Sequence, residues 1–129
     1  MDDREQFANP QRFPDADEIT VCPGYEDLFE SYSIKWNSSI VIMTRGHHFD
    51  KAVLAQALWT EAGYIGMIGS RRKRDTIFRQ LAEEGFPAAA LEQVYCPIGI
   101  SIGAETPEEI AISVVAELIQ QRAQRRRRG

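Results

Sequence analysis

Two short runs of β-branched and aliphatic residues, SIVIMT at 39–44 and YIGMIG at 64–69, are each followed by a longer stretch with apolar residues three and four apart. That alternation constrains the fold more than any other feature. Continuous apolar runs of this length read as strands buried on both faces. Parallel strands need a crossover, which an amphipathic helix supplies. The first helical stretch carries Val53, Leu54, Ala57 and Leu58 on one stripe, with Asp50 expected to cap it and Gly63 to stop it. The second carries Ile77, Phe78 and Leu81, with Ser70 as its cap and Gly85 as its stop.

The flanking sequence extends the same order. EITVC at 18–22 reads as a strand, YEDLFESY at 25–32 as a short helix after the Pro23-Gly24 turn, and QVYCPIGI at 93–100 as the last strand. TPEE then opens a final helix, with Thr106 at the cap, Pro107 in the first helical position and Glu109 closing a capping box. Ile110, Val114 and Leu118, with Val115 and Ile119 beside them, are its expected buried stripe. The result is an α/β class fold with a mostly parallel sheet and helices on its faces.

Composition removes several function classes. With 129 residues, 43% hydrophobic and 26% charged, the chain suffices for one core. Its net charge of −4 conceals a gradient, since residues 1–35 hold nine acids and three bases and residues 36–129 hold ten and twelve. A general nucleic-acid binder is more basic than this, so no nucleic acid is expected as a partner. No apolar run reaches the length needed to cross a bilayer and MDDREQFANP lacks the features of a signal peptide, so no membrane is expected and the expected location is cytoplasmic. Cys22 and Cys96 have no CxxC companions, which leaves them as buried thiols and gives no metal site.

In open parallel sheets, ligands bind beyond the carboxyl ends of the strands. The residues there are Thr44, Arg45, Gly46, His47 and Asp50 after the second strand, Gly69, Ser70, Arg71, Arg72 and Arg74 after the third, and Pro97, Gly99 and Gly103 after the fourth. Cations at a helix N-terminus oppose its dipole, so a run such as RRKR calls for a negative partner. Glycines allow close backbone approach, helix amides donate, and arginines add charge, a combination suited to a phosphate-bearing ligand. The alternative is a solvated basic face paired with the acidic N-terminal third. His47 and His48 lack the companions of a metal pair, and Ser70 and Lys73 stand in S-x-x-K spacing without the other motifs of penicillin-recognising enzymes. No G-x-G-x-x-G occurs, and no nucleophile stands beside a base, so no catalytic residue is assigned.

The stretches DDREQFANPQRFPDAD, IVIMTRGHHFDKAVLAQAL, YIGMIGSRRKR and CPIGISIGAETPEEIAISVVAELI, in that order, resemble the C-terminal Rossmann-type domain of the XdhC/CoxI family. The resemblance covers the chain to about residue 122 and implies a domain at 1–122 followed by a basic, disordered tail at 123–129. It implies a three-layer, partial Rossmann-like fold lacking the first βα unit and its glycine-rich turn, with an empty place between EITVC and SIVIMT. The family's T-H-D-H-x-x-D pattern is matched at Thr44, His47 and Asp50, while Arg45 and Gly46 depart from it.

The function implied by the resemblance is that of an accessory protein, not an enzyme, in the maturation of molybdenum hydroxylases such as xanthine dehydrogenase and carbon monoxide dehydrogenase. Its cofactor would be the molybdenum cofactor, as molybdopterin or its nucleotide form, bound transiently; a dinucleotide is the second reading. Expected partners are the hydroxylase apoenzyme, a cysteine desulfurase, and a second copy of the chain, since open sheet edges favour a homodimer. The alternatives are an NAD(P)-dependent oxidoreductase domain and a ligand-free regulatory subunit.

Overall fold

The computed structural model describes residues 1–128. Its centre is β1 (Ser39–Ile42) paired in parallel with β2 (Tyr64–Met67), Ser39 opposite Tyr64 and Ile42 opposite Met67. Around them lie α1 (His47–Ala57), α2 (Arg71–Glu83), the short α3 (Ala88–Leu91) and α4 (Pro107–Arg128). A single parallel bridge, Gly66 to Tyr95, extends the sheet beyond β2, and another, Asp2 to Val21, pairs the N-terminal segment with itself apart from β1.

Strand alternation sorts the side chains into two cores. Ile40, Ile42 and Met67 meet Val53, Leu54 and Ala57 of α1 and Ile77 and Leu81 of α2 on one face. On the other, Tyr64 packs with Ile98 and with Val114 of α4, flanked by Ile68, Ile110 and Leu118. Helices therefore cover both faces of a parallel sheet, the three-layer Rossmann-like arrangement expected from the sequence, with few strands.

Several elements differ from the sequence reading. The strand at 18–22 is reduced to the one bridge at Val21, and 25–32 forms turns with no helix. The backbone there bonds elsewhere: Leu28 N–H donates to Gln56 Oε1, and Gln56 Nε2 donates to Tyr25 O, so α1 holds the segment that local bonds would have coiled. Asp27 sits at φ 52°, which a continuing helix excludes.

α1 begins at His47 with Gly46 at its cap, because the Asp50 carboxylate reaches back to Thr44 and does not cap the helix. It ends at Ala57, not Gly63, whose N–H instead donates to Ser38 O at the start of β2. A Cβ at Gly63 would strike the Trp36 carbonyl, so the glycine serves a close approach.

The strand at 93–100 contracts to Tyr95, which exchanges bonds with Ile65 O and Met67 N before Pro97, which has no N–H, ends the pairing. α2 matches its predicted start, with Ser70 Oγ accepting from Lys73 N–H at 3.1 Å. Gly85 at φ 101° closes it as predicted. The capping box of α4 also forms, Thr106 Oγ1 taking the Glu109 N–H at 3.1 Å and Glu109 Oε1 taking the Thr106 N–H at 3.0 Å. Two expectations for α4 are corrected. Val115 and Ile119 are half exposed, since the sheet beneath them is too narrow to cover them. The predicted disordered tail from 123 is helical to Arg128, where the i to i+4 bonds simply continue; residue 129 lies outside the described residues.

Candidate functional site

The carboxyl ends of β1, β2 and the Tyr95 bridge open on the same side, and a buried ionic knot fixes them. Asp50, fully buried in the first turn of α1, accepts from Thr44 N at 2.8 Å and from Thr44 Oγ1 at 2.6 Å. Its second oxygen meets Lys73 Nζ of α2, which also donates to Ile68 O at 3.0 Å. One carboxylate thus ties the end of β1 to two helices, and every strong donor aimed at it is used. Such a buried pair is a positioning device whose charges are compensated in place.

Arg74 donates to Cys96 O at 3.2 Å and pairs with Asp75, which joins α2 to the last bridge. Cys96 Sγ lies 3.8 Å from Gly69 O, and burial pushes its thiol up despite the nearby Lys73 and Arg74 charges. It is therefore a packed thiol and not a thiolate nucleophile. Arg45 leaves the strand ends altogether, pairing with Asp3 at 2.7 Å and lying over the Phe49 ring. Asp3 also takes the Tyr25 hydroxyl, and burial with that bond pushes the phenol up to about 12.

What remains available lies between α2 and the loop before α4. A groove of about 600 Å³ runs along Gly69 and Arg71 on one side and Pro97, Gly99 and Gly103 on the other. Arg71 and Arg72 are exposed, and neither is held in an ion pair among the described residues. Gly69 at φ 143° lets the backbone turn into α2, where an added Cβ would meet the Lys73 stem. Gly99 at φ 96° lies against Ser113, and its N–H is taken by Glu117 Oε1 at 3.1 Å. The wall of the groove is thus anchored to α4 from behind.

The site residues expected from sequence divide accordingly. Gly69, Arg71, Pro97 and Gly99 come together around this groove, while Ser70 and Arg72 neighbour Arg71 in the chain without lining it. Thr44 and Asp50 are absorbed by the knot, Arg45 by Asp3, and Arg74 by Cys96 and Asp75, while Gly46 and the exposed His47 stand at the start of α1. Two residues that sequence reasoning missed organise the site. Lys73 looked like one more charge of the basic run, though its place three residues after the Ser70 cap turns it inward. Glu117, the buried acceptor for Tyr64 Oη at 2.6 Å and for Gly99, interrupts an apolar stripe and was visible as that interruption.

Arg71 lines the groove with positive charge and Arg72 adds a second exposed cation at the start of α2, so the groove can hold an anion of phosphate type. Among the described residues no group of three or more His, Cys, Asp and Glu could hold a metal ion, and no helix is long and apolar enough to cross a membrane.

Compared with known proteins, the XdhC Rossmann domain family matches residues 1–118. The chain is 33% identical over 120 residues to a probable xanthine dehydrogenase subunit of Bacillus subtilis, covering 92% of this chain and 34% of that protein. It is 33% identical over 112 residues to the uncharacterised protein YqeB of Escherichia coli, covering 87% of this chain and 20% of the relative. Among solved structures, a protein described as a xanthine dehydrogenase from Bacillus halodurans superposes with a TM-score of 0.79 at 37% identity, covering 96% of this chain and 34% of that one. The chain therefore spans about a third or less of the length of these relatives.

Proposed function

The chain belongs to the XdhC Rossmann-domain family, and from that premise we propose that it serves the maturation of a molybdenum hydroxylase of the xanthine dehydrogenase type by binding the molybdenum cofactor. Relatives named for xanthine dehydrogenase support the association. The observation that carries the ligand reading is the groove in which Gly69, Arg71, Pro97 and Gly99 converge beside the capped start of α2. The cofactor is a pterin dithiolene bearing a phosphate or a nucleotide diphosphate, and the residues present fit its charged end. Arg71 and Arg72 would hold phosphate oxygens, Ser70 and the α2 amides would complete the cradle, and the glycines would keep the wall low enough for the backbone to approach. When bound, the group would supply the molybdenum chemistry to the apoenzyme that receives it.

This chain's own part is to bind and deliver. Its carboxylate, lysine and thiol near the groove are all committed to packing, which supports an accessory role over a catalytic one. A cytoplasmic setting, in which apoenzyme and cysteine desulfurase are at hand, belongs to the same reading. The test is anaerobic equilibrium binding of isolated molybdopterin followed by its fluorescence. Arg71→Ala with Arg72→Ala removes two charge-assisted contacts worth about 1.5 kcal/mol or more each, so affinity should fall about a hundredfold or more. Unchanged affinity in a folded double variant would refute the reading.

A further inference from the structure

A second cavity lies at the amino end of β2, the opposite end from the candidate site. It holds about 600 Å³ between the loop that leads into β2, the turn after α3 and the last turns of α4. Leu58, Ala62, Ile65 and Tyr95 give it an apolar and aromatic lining, and the Tyr95 ring is held by stacking on Tyr64, with centroids 4.8 Å apart and planes at 17°. Its charged lining residues are Glu92, from the turn after α3, and Arg125, from α4.

Arg125 is a cation that the fold does not answer. Among the described residues its guanidinium has no ion pair and no hydrogen bond, and its Nη1 is buried. The backbone makes room for it: a Cβ at Gly63 would meet Nη1 at 2.5 Å, so the guanidinium rests against bare main chain at the start of β2. Taking part of a cation out of water without an acceptor is unfavourable, and folded chains as a rule supply the partner. Lys73 shows the contrast, since its ammonium has both Asp50 and the Ile68 carbonyl.

We infer that this cavity is a binding site for a small carboxylate with a planar apolar body, the carboxylate on the Arg125 guanidinium and the body against Ile65 and Tyr95. A guanidinium offers two parallel N–H groups, which the two oxygens of a carboxylate match. Glu92 on the same lining offsets the cation, so a single negative charge suits the cavity better than the double charge of a phosphate. The groove beside Arg71 has no acidic residue in its lining, and the two sites take different anions at opposite ends of the sheet. The inference is independent of what binds beside Arg71.

The experiment is NMR titration of the full chain with benzoate, and separately with inorganic phosphate, read at the Gly63 and Tyr95 amides. Benzoate should shift both signals saturably, and phosphate should bind there at least about fivefold more weakly. Arg125→Met keeps an apolar stem and removes the charge. Because no bond of the fold uses that charge, the variant should keep Tm within about 2 °C of wild type and lose benzoate affinity by about tenfold or more. Arg125→Lys keeps the charge without the paired N–H groups and should retain only part of the affinity, whereas Glu92→Gln should tighten benzoate about twofold or more. The proposal is overturned by an absence of saturable shifts at the limit of benzoate solubility, or by equal affinity in Arg125→Met. Phosphate binding at Gly63 as tightly as benzoate would overturn it as well, and so would a Tm lowered by several degrees in Arg125→Met, since the guanidinium would then serve the fold.

Discussion

Asp50→Ala tests the physical centre of the site. The substitution leaves Lys73 Nζ with only the Ile68 carbonyl and strips the Thr44 N–H of its acceptor, while the Thr44 hydroxyl keeps the Gly46 carbonyl at 3.0 Å. Breaking a buried pair by removing one partner costs about 3 to 5 kcal/mol. The Lys73 side chain is 20% exposed and can swing part of its charge to water, which lowers the figure, while the stranded Thr44 N–H adds about 1 kcal/mol back. A loss of about 3 kcal/mol is expected. For a chain of this length each kcal/mol shifts Tm by about 4 °C, so Tm should fall by about 12 °C in thermal unfolding followed by circular dichroism. Asp50→Asn keeps an acceptor for Thr44 and loses only the charge, so it should fall between wild type and alanine. Lys73→Met removes the cation and leaves the carboxylate on its Thr44 bonds. A change of less than about 1 kcal/mol for Asp50→Ala would show that the knot does not hold the strand ends, and the placement of Arg71 and Arg72 would lose its physical basis.

Ser70→Ala removes the cap of α2 and should cost about 1 kcal/mol in urea unfolding, and Ser70→Gly a few tenths. The folded pKa of Tyr64 is raised, first by burial and then by its bond to Glu117, so folding favours the protonated phenol. That stability is complete below the ordinary value of 10.0 and is lost as pH rises beyond it. Stability measured across alkaline pH should therefore fall more steeply for wild type than for Tyr64→Phe. The Glu109 carboxyl is held below its ordinary value, chiefly by the backbone N–H of Thr106 and then of Glu105, so its contribution to α4 is present near neutrality and lost in acid. NMR titration should find it titrating below the ordinary glutamate value, and Thr106→Ala should raise it.

Elements whose own residues satisfy their backbone were legible in the sequence. α2 has its cap, stripe and glycine stop within the span from Ser70 to Gly85, and the start of α4 has its capping box, so both begin where local chemistry puts them. The segment 25–32 shows the opposite case. Its helical spacing was real, but Gln56 of α1 takes its backbone groups, and nothing local in YEDLFESY announces a partner 28 residues away. The strands at 18–22 and 93–100 had the right composition, but the first finds only Asp2 to pair with and the second pairs with β2 at Tyr95 alone before Pro97 ends it, and a strand needs a partner edge more than a propensity.

The same distinction governs the basic run. Sequence places Arg71, Arg72, Lys73 and Arg74 together as four like charges, whereas the helix distributes them at about 100° intervals and so gives them different fates. Lys73 points inward to Asp50, and Arg74 points along the sheet to Cys96 O. Those two neutralise their own positions, so the repulsion within the run is relieved from below and two cations can be tolerated at an unfavourable helix end. Arg71 and Arg72 are left as the charges with no internal use. This division predicts unequal results from single alanine substitutions: Arg71→Ala and Arg72→Ala should leave Tm within about 2 °C of wild type, as surface changes do, whereas Lys73→Ala should lower it by several degrees. If all three lowered Tm alike, the run would be a structural network throughout. The surplus charge that points the groove toward an anion would then not exist.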